Sequence, residues 1–471
     1  MNSDIKEILN AEKPWEIEGW LPPPKEIIIE GELSESIVRE ISRLKDEPEW
    51  MLRLRLRAFE LFKKLPTPNW LRGIDELNLN ELSPYIKPAA EKTTEIEKLP
   101  KEILDYYKRL GITEAQAKIL AGLAGIVDSE TIYHKAKEIL TKKGVIFMGM
   151  SEAIKRYPNL VKKYFSKVYP IPDHKFSALH YALWSGGSFV YVPPGVRIPQ
   201  PLESFLLITS ELESQYEHTM LIADKGSYIN FIEGCTAPIF PKYSFHDGAV
   251  EVYIHEDAHV KFTTMQNWSR QIINFNNKRV IVEKNGYLEW LEGAIGSKVS
   301  YVYPTAILRG ENAKASMLIV SISNGPYIKD SGSKIFHMAP NTASRVVSKS
   351  ISANGGISIY RGLIYVSKNA KNAKSHVQCD SLLLDEKSVA ITIPHNQVYE
   401  DTAIVTHEAT AGKLGDEQLF YLMSRGLSEG ESKSLLILGF VDDVIKQLPF
   451  EMANILNKAI QLEFEKVGGV G

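Results

Sequence analysis

The fold is indicated by a stretch in the middle of the chain, VEVYIHEDAHVKF at residues 250–262. Apolar and polar residues alternate on both sides of a short turn at Asp257-Ala258, which is typical of two strands joined by a tight corner. Similar turns recur through about 150 residues at intervals of 27 to 32 residues, and Asn and Asp tolerate the left-handed corners that they need. The turns are Asp257-Ala258, Asn285-Gly286, Asn312-Ala313, Asn341-Thr342, Asn369-Ala370 and Asp401-Thr402.

A near-constant period with no helices between the strands predicts a stacked β-solenoid, whose coils share one core. A β-sandwich or a propeller is the alternative that the pattern leaves open. The β texture begins near Ser188 and ends near Lys413, and strong helix formers precede and follow it. We therefore expect a mainly β protein with α-helices, divided into a helical region at 1–187, a solenoid at 188–412 and a second helical region at 413–471.

The helical regions carry specific signals. Residues 49–62 combine strong helix formers and are followed by prolines, and further helices are predicted at 99–110, from Thr113 toward Gly125, and from Ser151 toward Tyr157. After the solenoid, a helix is predicted from Gly415 to near Gly426. Ser428 and Glu431 form a capping box for the next helix, and Pro449 begins a last one that reaches Phe464.

Composition excludes several classes of protein. The 471 residues carry 55 Lys and Arg against 58 Asp and Glu, and 44% are hydrophobic, which are values typical of a globular chain. The balanced charge argues against nucleic acid as the main ligand. Neither a signal peptide nor a run of about 20 apolar residues is found, so we expect a soluble, cytoplasmic protein that does not bind membranes.

Two motifs resemble known sites by chance. His255-Glu256-Asp257-Ala258-His259 has the HExxH spacing of zinc proteases, but it lies in strand alternation around a turn, where its histidines do not share a helical face. Gly293 to Lys298 is too short for a phosphate-binding P-loop. Any dependence on ATP must therefore come from a partner.

The chain has two cysteines, Cys235 and Cys379, so a disulfide framework and a four-cysteine metal site are excluded. Cys379 precedes His407 by 28 residues, about one period, and residues one period apart stack on adjacent rungs of a solenoid. Cys379, His407 and Glu408 are therefore expected to meet, as a sulfur-carrying or nucleophilic thiol or as part of an iron site. The alternative is a buried structural cysteine beside a solvated acid, and Cys235 taken alone has the same simple interpretation.

Several motifs together resemble the SufB/SufD family of the Suf iron–sulfur cluster assembly system, and within it the SufB scaffold subunits. The resemblance covers nearly the whole chain, with its motifs in order. They are Glu49-Trp50-Met51, Gly144-Val145-Ile146-Phe147, Glu233-Gly234-Cys235-Thr236-Ala237-Pro238, Gln266-Asn267-Trp268, Tyr360-Arg361-Gly362, Gln378-Cys379-Asp380-Ser381-Leu382-Leu383, His407-Glu408-Ala409-Thr410 and Asp416-Glu417-Gln418-Leu419-Phe420-Tyr421.

The resemblance implies a right-handed parallel β-helix with helical regions at both ends. It implies a scaffold protein, without enzymatic activity of its own, that takes persulfide sulfur from a cysteine desulfurase system together with iron. The transient cluster, of the 4Fe–4S type, then passes to apo-proteins. The implied partners are the SufC ATPase, docked on the C-terminal helical region, and SufD or a second SufB copy. A reduced flavin is linked to the family complex, although the sequence has no flavin-binding motif.

The resemblance also implies roles for particular residues. Cys379 matches the cluster-assembly cysteine, and His407 and Glu408 match the groups beside it. Cys235 matches the cysteine that receives sulfur, and Gln266, Trp268 and Lys284 match residues lining an interior route between the two thiols. The chain departs from the family pattern at residues 205–209, which lack an interior Arg and Asn, and at Thr406, where Glu is common. A SufD-like stabilising subunit without its own cluster, and a β-helix polysaccharide lyase or hydrolase, are the rival hypotheses.

Overall fold

The strands stack into two mostly parallel sheets that together form a β-solenoid of about eight turns. The computed structural model describes residues 22–109, 120–238 and 240–446, together with residues 453, 457 and 460. Along the solenoid, successive strands fall alternately in the two sheets. The predicted architecture, mainly β with helices before and after the solenoid, is confirmed.

We call the ten-stranded sheet sheet 1 and the eleven-stranded sheet sheet 2. Sheet 1 has the spatial order β23 (Ile404–Lys413), β21 (Lys374–Leu383), β19 (Ala343–Ala353), β17 (Lys314–Asn324), β14 (Tyr287–Gly296), β12 (His259–Trp268), β10 (Tyr228–Thr236), β7 (Arg197–Leu207), β3 (Gly122–Val127) and β4 (Glu130–Ala136). Sheet 2 has the order β22 (Val389–Val398), β20 (Ile357–Val366), β18 (Ile328–His337), β15 (Val299–Val302), β13 (Ile272–Val282), β11 (Ser244–Ile254), β9 (His218–Ala223), β6 (Ser188–Val192) and β5 (Ile146–Gly149). In sheet 2, β16 (Thr305–Leu308) also pairs with β13 and β18, and β8 (Ser214–Gln215) pairs with β11. Among the solenoid strands described, antiparallel pairs occur only between β3 and β4 and between β5 and β6. Outside the solenoid, β1 (Lys25–Ile29) pairs with β2 (Tyr85–Pro88).

The predicted corner residues hold the coils in step. Asp257, Asn285, Asn312 and Asn341 have left-handed φ angles of 60°, 55°, 60° and 58°, which Asn and Asp adopt more readily than other non-glycine residues. The side chains also bond from coil to coil: the Asn285 amide donates to Asp257 at 2.9 Å, and the Asn312 amide donates to Asn285 at 3.0 Å. At the next corner the left-handed residue is Asn372, with φ 58°, and not the predicted Asn369.

The interior of each coil has an apolar half and a polar half. In β13, Val280 and Val282 point into the apolar core near the corners described above. Earlier in the same strand, Asn276 and Lys278 share that inward face and are also buried. The polar half is therefore enclosed within the protein, where each group needs a partner to offset its lost hydration.

Helices precede and follow the solenoid and cover parts of its outer faces. Before the solenoid lie α1 (Glu35–Leu44), α2 (Glu49–Lys64), α3 (Lys101–Arg109), α4 (Glu138–Lys142), α5 (Met150–Arg156), α6 (Pro158–Tyr164) and α7 (Lys175–Leu183), with short 3₁₀ turns at Leu79–Glu81 and Ile96–Lys98. After it lie α8 (Asp416–Ser424) and α9 (Glu429–Ile445). Phe176 of α7 packs on Phe275 of sheet 2, and Ile437 of α9 packs with Val320 of sheet 1.

Most predicted helices are found, and the capping box at Ser428 forms with Glu431 in both directions. The N-terminal region, expected to be helical, also contributes strands: Gly122–Val127 joins sheet 1 and Ile146–Gly149 joins sheet 2. The helix predicted from Thr113 lies mostly outside the described residues, and it is a strand where the description resumes. The helix predicted from Pro449 also lies mostly outside them, and its described residues 453, 457 and 460 are helical. Among the described residues no helix is long and apolar enough to cross a membrane.

Candidate functional site

The first candidate site lies at the open end of the solenoid, where Cys379 and His407 meet. Cys379 is on β21, paired in register with Ala409 of β23, and His407 precedes Ala409 by two residues on the same face. The Cys379 Sγ lies 3.3 Å from His407 Nε2, and the thiol is 2% exposed. The sequence prediction that these two side chains come together is therefore correct.

Tyr360 completes this pocket from the opposite sheet. Its ring meets the His407 ring edge to face, with centroids 6.1 Å apart, and its hydroxyl lies 3.0 Å from Ser333 Oγ. The hydroxyl also hydrogen bonds to the Cys379 sulfur. In the sequence, Tyr360 stands out only as part of a family motif, so its contact with the thiol is a finding of the structure.

The environment keeps both groups neutral near neutral pH. Burial raises the pKa of Cys379 to about 12, and the Tyr360 hydrogen bond offsets only part of that rise. Burial also lowers the pKa of His407. The S–H of Cys379 can then donate to the unprotonated His407 Nε2. A metal ion that takes this sulfur must displace a proton, which makes binding stronger at higher pH.

Glu408 is not brought to the thiol. It pairs in register with Gln378, and both lie on the face of the sheet opposite to Cys379 and His407. Its side chain is exposed. The expectation that Cys379, His407 and Glu408 meet is thus wrong for Glu408 within one chain, because an odd offset along a strand reverses the face.

Cys235 lies in the interior, five strand spacings from Cys379 along sheet 1. It pairs in register with Gln266, whose amide nitrogen is 3.5 Å from the Cys235 sulfur. The Trp268 indole donates to the side-chain oxygen of Gln266 at 2.8 Å, and its ring lies tilted against His246 with centroids 4.6 Å apart. The structure thus brings Cys235, Gln266 and Trp268 together, as the family resemblance implied.

Lys284 does not line this interior. It follows β13 in a corner, its side chain is 55% exposed, and its ammonium lies 3.9 Å from Glu256. The interior lysine near Cys235 is Lys278, fully buried, which donates to Glu292 and to Thr264 at 2.9 Å each. Period-two alternation from the inward Val280 and Val282 would have identified it.

The surroundings of Cys235 are acidic and incompletely paired. Within the described ranges, neither carboxylate oxygen of Glu233 has a partner in hydrogen-bond geometry, and neither does Nε2 of His246. Burial raises the pKa of Glu233 to about 7, and burial together with the nearby Glu233 raises the pKa of Cys235 well above its usual value. Neither thiol is therefore activated by its own chain alone.

A row of mostly small or polar side chains connects the two regions. The strand register places Cys235, Gln266, Ala294 and Ser321 in one inward column. The column continues through Ser350 and Ser381, which are bonded to each other at 2.9 Å, in the inward column next to Cys379. Five strand spacings amount to about 24 Å, so the two sulfurs do not touch.

The pair at the open end is also incomplete as a metal centre. Across the described ranges, no group of three or more His, Cys, Asp or Glu side chains is arranged to hold a metal ion. Cys379 and His407 supply two donors, whereas iron in sulfur clusters takes four ligands. Further donors must come from inorganic sulfide, from another chain or from a rearrangement.

Comparison with known proteins identifies the family. Residues 205–440 match the family model described as SUF system FeS cluster assembly, SufBD core domain, and residues 43–203 match the SufBD protein N-terminal region. An iron-sulfur cluster assembly SufBD family protein of Staphylococcus haemolyticus is 45% identical over 439 residues, which cover 93% of this chain and 94% of that protein. A protein of the same description from Staphylococcus aureus is 44% identical over the same shares. The chain therefore belongs to the SufBD family of iron–sulfur cluster assembly proteins.

Proposed function

We propose that this chain is a SufB-type scaffold, which receives persulfide sulfur and iron and assembles a labile cluster. The observation that carries the proposal is the contact of Cys379 with His407 at the open end of the solenoid. A thiol paired with an imidazole is a mixed donor set, and incomplete cysteine ligation favours release of the finished cluster. Cys379 and His407 are the proposed cluster residues, and Glu408 joins them only through a second chain or a rearrangement.

Sulfur is proposed to enter at Cys235. Gln266 contacts the Cys235 sulfur and is itself fixed by a hydrogen bond from Trp268. Lys278 takes the role that the resemblance gave to Lys284, as the cation near this thiol. Because about 24 Å separate the thiols, sulfur must travel as a mobile species along the polar half of the interior. Reduction of each persulfide sulfur to sulfide takes two electrons, which a reductant of the complex must supply; the family suggests reduced flavin, and we assign no residue of this chain to hold it.

A second chain is proposed to pair with the open end. The last strands of both sheets expose apolar side chains, with Ile404 58% and Val398 44% exposed. Exposed apolar edge strands of this kind favour pairing with another chain. Two copies, or a copy and a SufD-type relative, would place two thiol–imidazole pairs together and supply the missing ligands.

The ATPase is proposed to dock on the helices that follow the solenoid. Phe420, Tyr421 and Met423 of α8 and Leu435 of α9 are 73%, 56%, 43% and 50% exposed. An exposed apolar surface on adjacent helices is suited to a protein partner. The sulfur donor and the apo-protein acceptors are assigned from the family alone.

Anaerobic reconstitution with ferrous iron and sulfide tests the assignment. We expect wild type and Cys235→Ser to gain thiolate-to-iron charge-transfer absorption, and Cys379→Ser to lose it, because sulfide supplied directly does not need Cys235. When sulfur is supplied as persulfide by a cysteine desulfurase, Cys235→Ser should also fail. Equal loading of Cys379→Ser would refute the site.

A SufD-like subunit without its own cluster is the second candidate. The raised pKa of Cys379 and the outward position of Glu408 favour it. If wild type itself gains no chromophore under the conditions above, alone or mixed with SufC, this second function replaces the first.

A further inference from the structure

The outer face of sheet 2 carries a small cavity that the thiol site does not use. The cavity has a volume of about 50 Å³ and lies between the loop that carries Trp70, the start of α7 and the outward side chains of β13 and β18. The residues that matter for its chemistry are Trp70, Asp173, His174, Phe176, Arg279 and Lys334.

The cations around this cavity outnumber the carboxylates. Asp173 pairs with Arg279, and Asp330 pairs with Arg361 at 3.0 Å, so each carboxylate already has its own guanidinium. Lys334 is the cation of this cavity that neither carboxylate pairs with. Among the described residues, its ammonium makes no hydrogen bond or ion pair, and it lies 5.6 Å from the centre of the Tyr303 ring.

This arrangement is costly without an anion. Lys334 is half-buried, and burial together with the nearby Arg279 lowers the pKa of its ammonium. Asp173, which is already paired with Arg279, offsets only part of this cost. A desolvated cation without an ion-pair partner of its own destabilises the folded chain. The start of α7, with Asp173, His174 and Phe176 at the wall, adds the positive end of a nine-residue helix to the same place.

We propose that this cavity binds an oxyanion of the phosphate type, held by Lys334 and Arg279 at the start of α7. A volume of about 50 Å³ is several times the roughly 10–15 Å³ of free space that one water needs, so the cavity can take one phosphate group but not a nucleoside. A larger phosphate ester can therefore enter only by its phosphate. The remainder would lie against Trp70, which is 43% exposed and meets the Tyr301 ring edge to face.

The two sources of the phosphate group are separable by titration. The full chain would be titrated by equilibrium dialysis with inorganic phosphate and, in a parallel arm, with adenosine monophosphate. We expect saturable binding of one phosphate per chain, with competition from sulfate. If adenosine monophosphate binds more tightly than phosphate, and if Trp70→Ala removes this difference, the ligand is a phosphate ester. If the two bind wild type equally, the ligand is the free anion.

Variants decide whether the cavity is the site. Lys334→Met keeps the apolar stem and should weaken phosphate binding about tenfold or more, whereas Lys334→Arg should largely retain it. Lys368→Met, which removes an exposed lysine after β20, is the matched control and should bind as wild type does. Non-saturable binding, or equal affinity in wild type and Lys334→Met, overturns the proposal. If Lys334→Met does not fold, Lys334→Arg decides instead. A folded Lys334→Arg protein that no longer binds phosphate would overturn the proposal.

Discussion

The ionisation of Cys379 gives a direct measurement on the candidate site. Its pKa of about 12 reflects burial, which the Tyr360 hydrogen bond only partly offsets. At pH 8 a thiol with the ordinary pKa of about 8.5 is roughly a quarter ionised, whereas a thiol with a pKa of 12 is about 0.01% ionised. Because the thiolate is the nucleophile, Cys379 should be alkylated about three orders of magnitude more slowly than an exposed cysteine.

The assay uses Cys235→Ser, so that Cys379 is the remaining thiol, with iodoacetamide under anaerobic conditions and mass spectrometry as the readout. Between about pH 7 and 10 the rate should rise tenfold per pH unit without a plateau. Limited access to the buried sulfur lowers every rate by the same factor and leaves this slope unchanged. A plateau below about pH 9.5 would show that His407 and Tyr360 stabilise the thiolate more than burial disfavours it, and would refute the reasoning.

Tyr360→Phe sharpens the same experiment. Removing the hydroxyl removes a side-chain hydrogen bond that lowers the pKa of Cys379, so the rate should fall further at every pH. Tyr365→Phe, on the outward face of the same strand, is the matched control and should leave the profile unchanged. Equal rates in the two variants would show that Tyr360 does not act on the sulfur.

Three further outcomes are expected. Lys278→Met should lower the free energy of unfolding in urea by about 3–5 kcal/mol because it leaves the buried Glu292 carboxylate without its cation. Adding Glu292→Met should recover most of this loss. Lys284→Met, which changes an exposed lysine, is the control and should cost little. Glu233 has a folded pKa of about 7, above the unfolded value of about 4.3, so its stabilising contribution is present below pH 4 and is lost as the pH rises through 7. Glu233→Gln should therefore match the free energy of unfolding of wild type near pH 4 and exceed it by about 3 kcal/mol at pH 8, and a difference that does not change with pH would contradict the shift. Ile404→Lys should reduce self-association in sedimentation velocity, whereas Ile139→Lys, an equally exposed change on α4, should not.

The solenoid was predictable because its corners carry a strong local signal. Four Asn and Asp residues, from Asp257 to Asn341, occupy left-handed positions where few other residue types are comfortable. The period slips at Asn369 because a second asparagine, Asn372, follows three residues later and takes the corner. Strands β3 to β5 were missed because they join the sheets from a segment of mostly helical composition.

The site was predictable only as far as sequence offset determines the face of a strand. Cys379 and His407 meet because His407 is two residues from the register partner of Cys379, an even offset that keeps the same face. Glu408, one residue further along, is on the other face. Tyr360 could not be found by this route, because it lies on the opposite sheet and the period gives no distance between sheets.

The regular stacking of coils fixes the distance between the two thiols in units of one strand spacing. Cys235 and Cys379 are separated by whole coils, so their distance can change only in steps of about 4.8 Å, each carried by one coil of some 30 residues. Loss or duplication of a single coil would leave every other corner and core residue with equivalent neighbours. Such a change would shift the path between the two thiols by one discrete step, which gives evolution, or a protein engineer, a way to alter this length without redesigning either end.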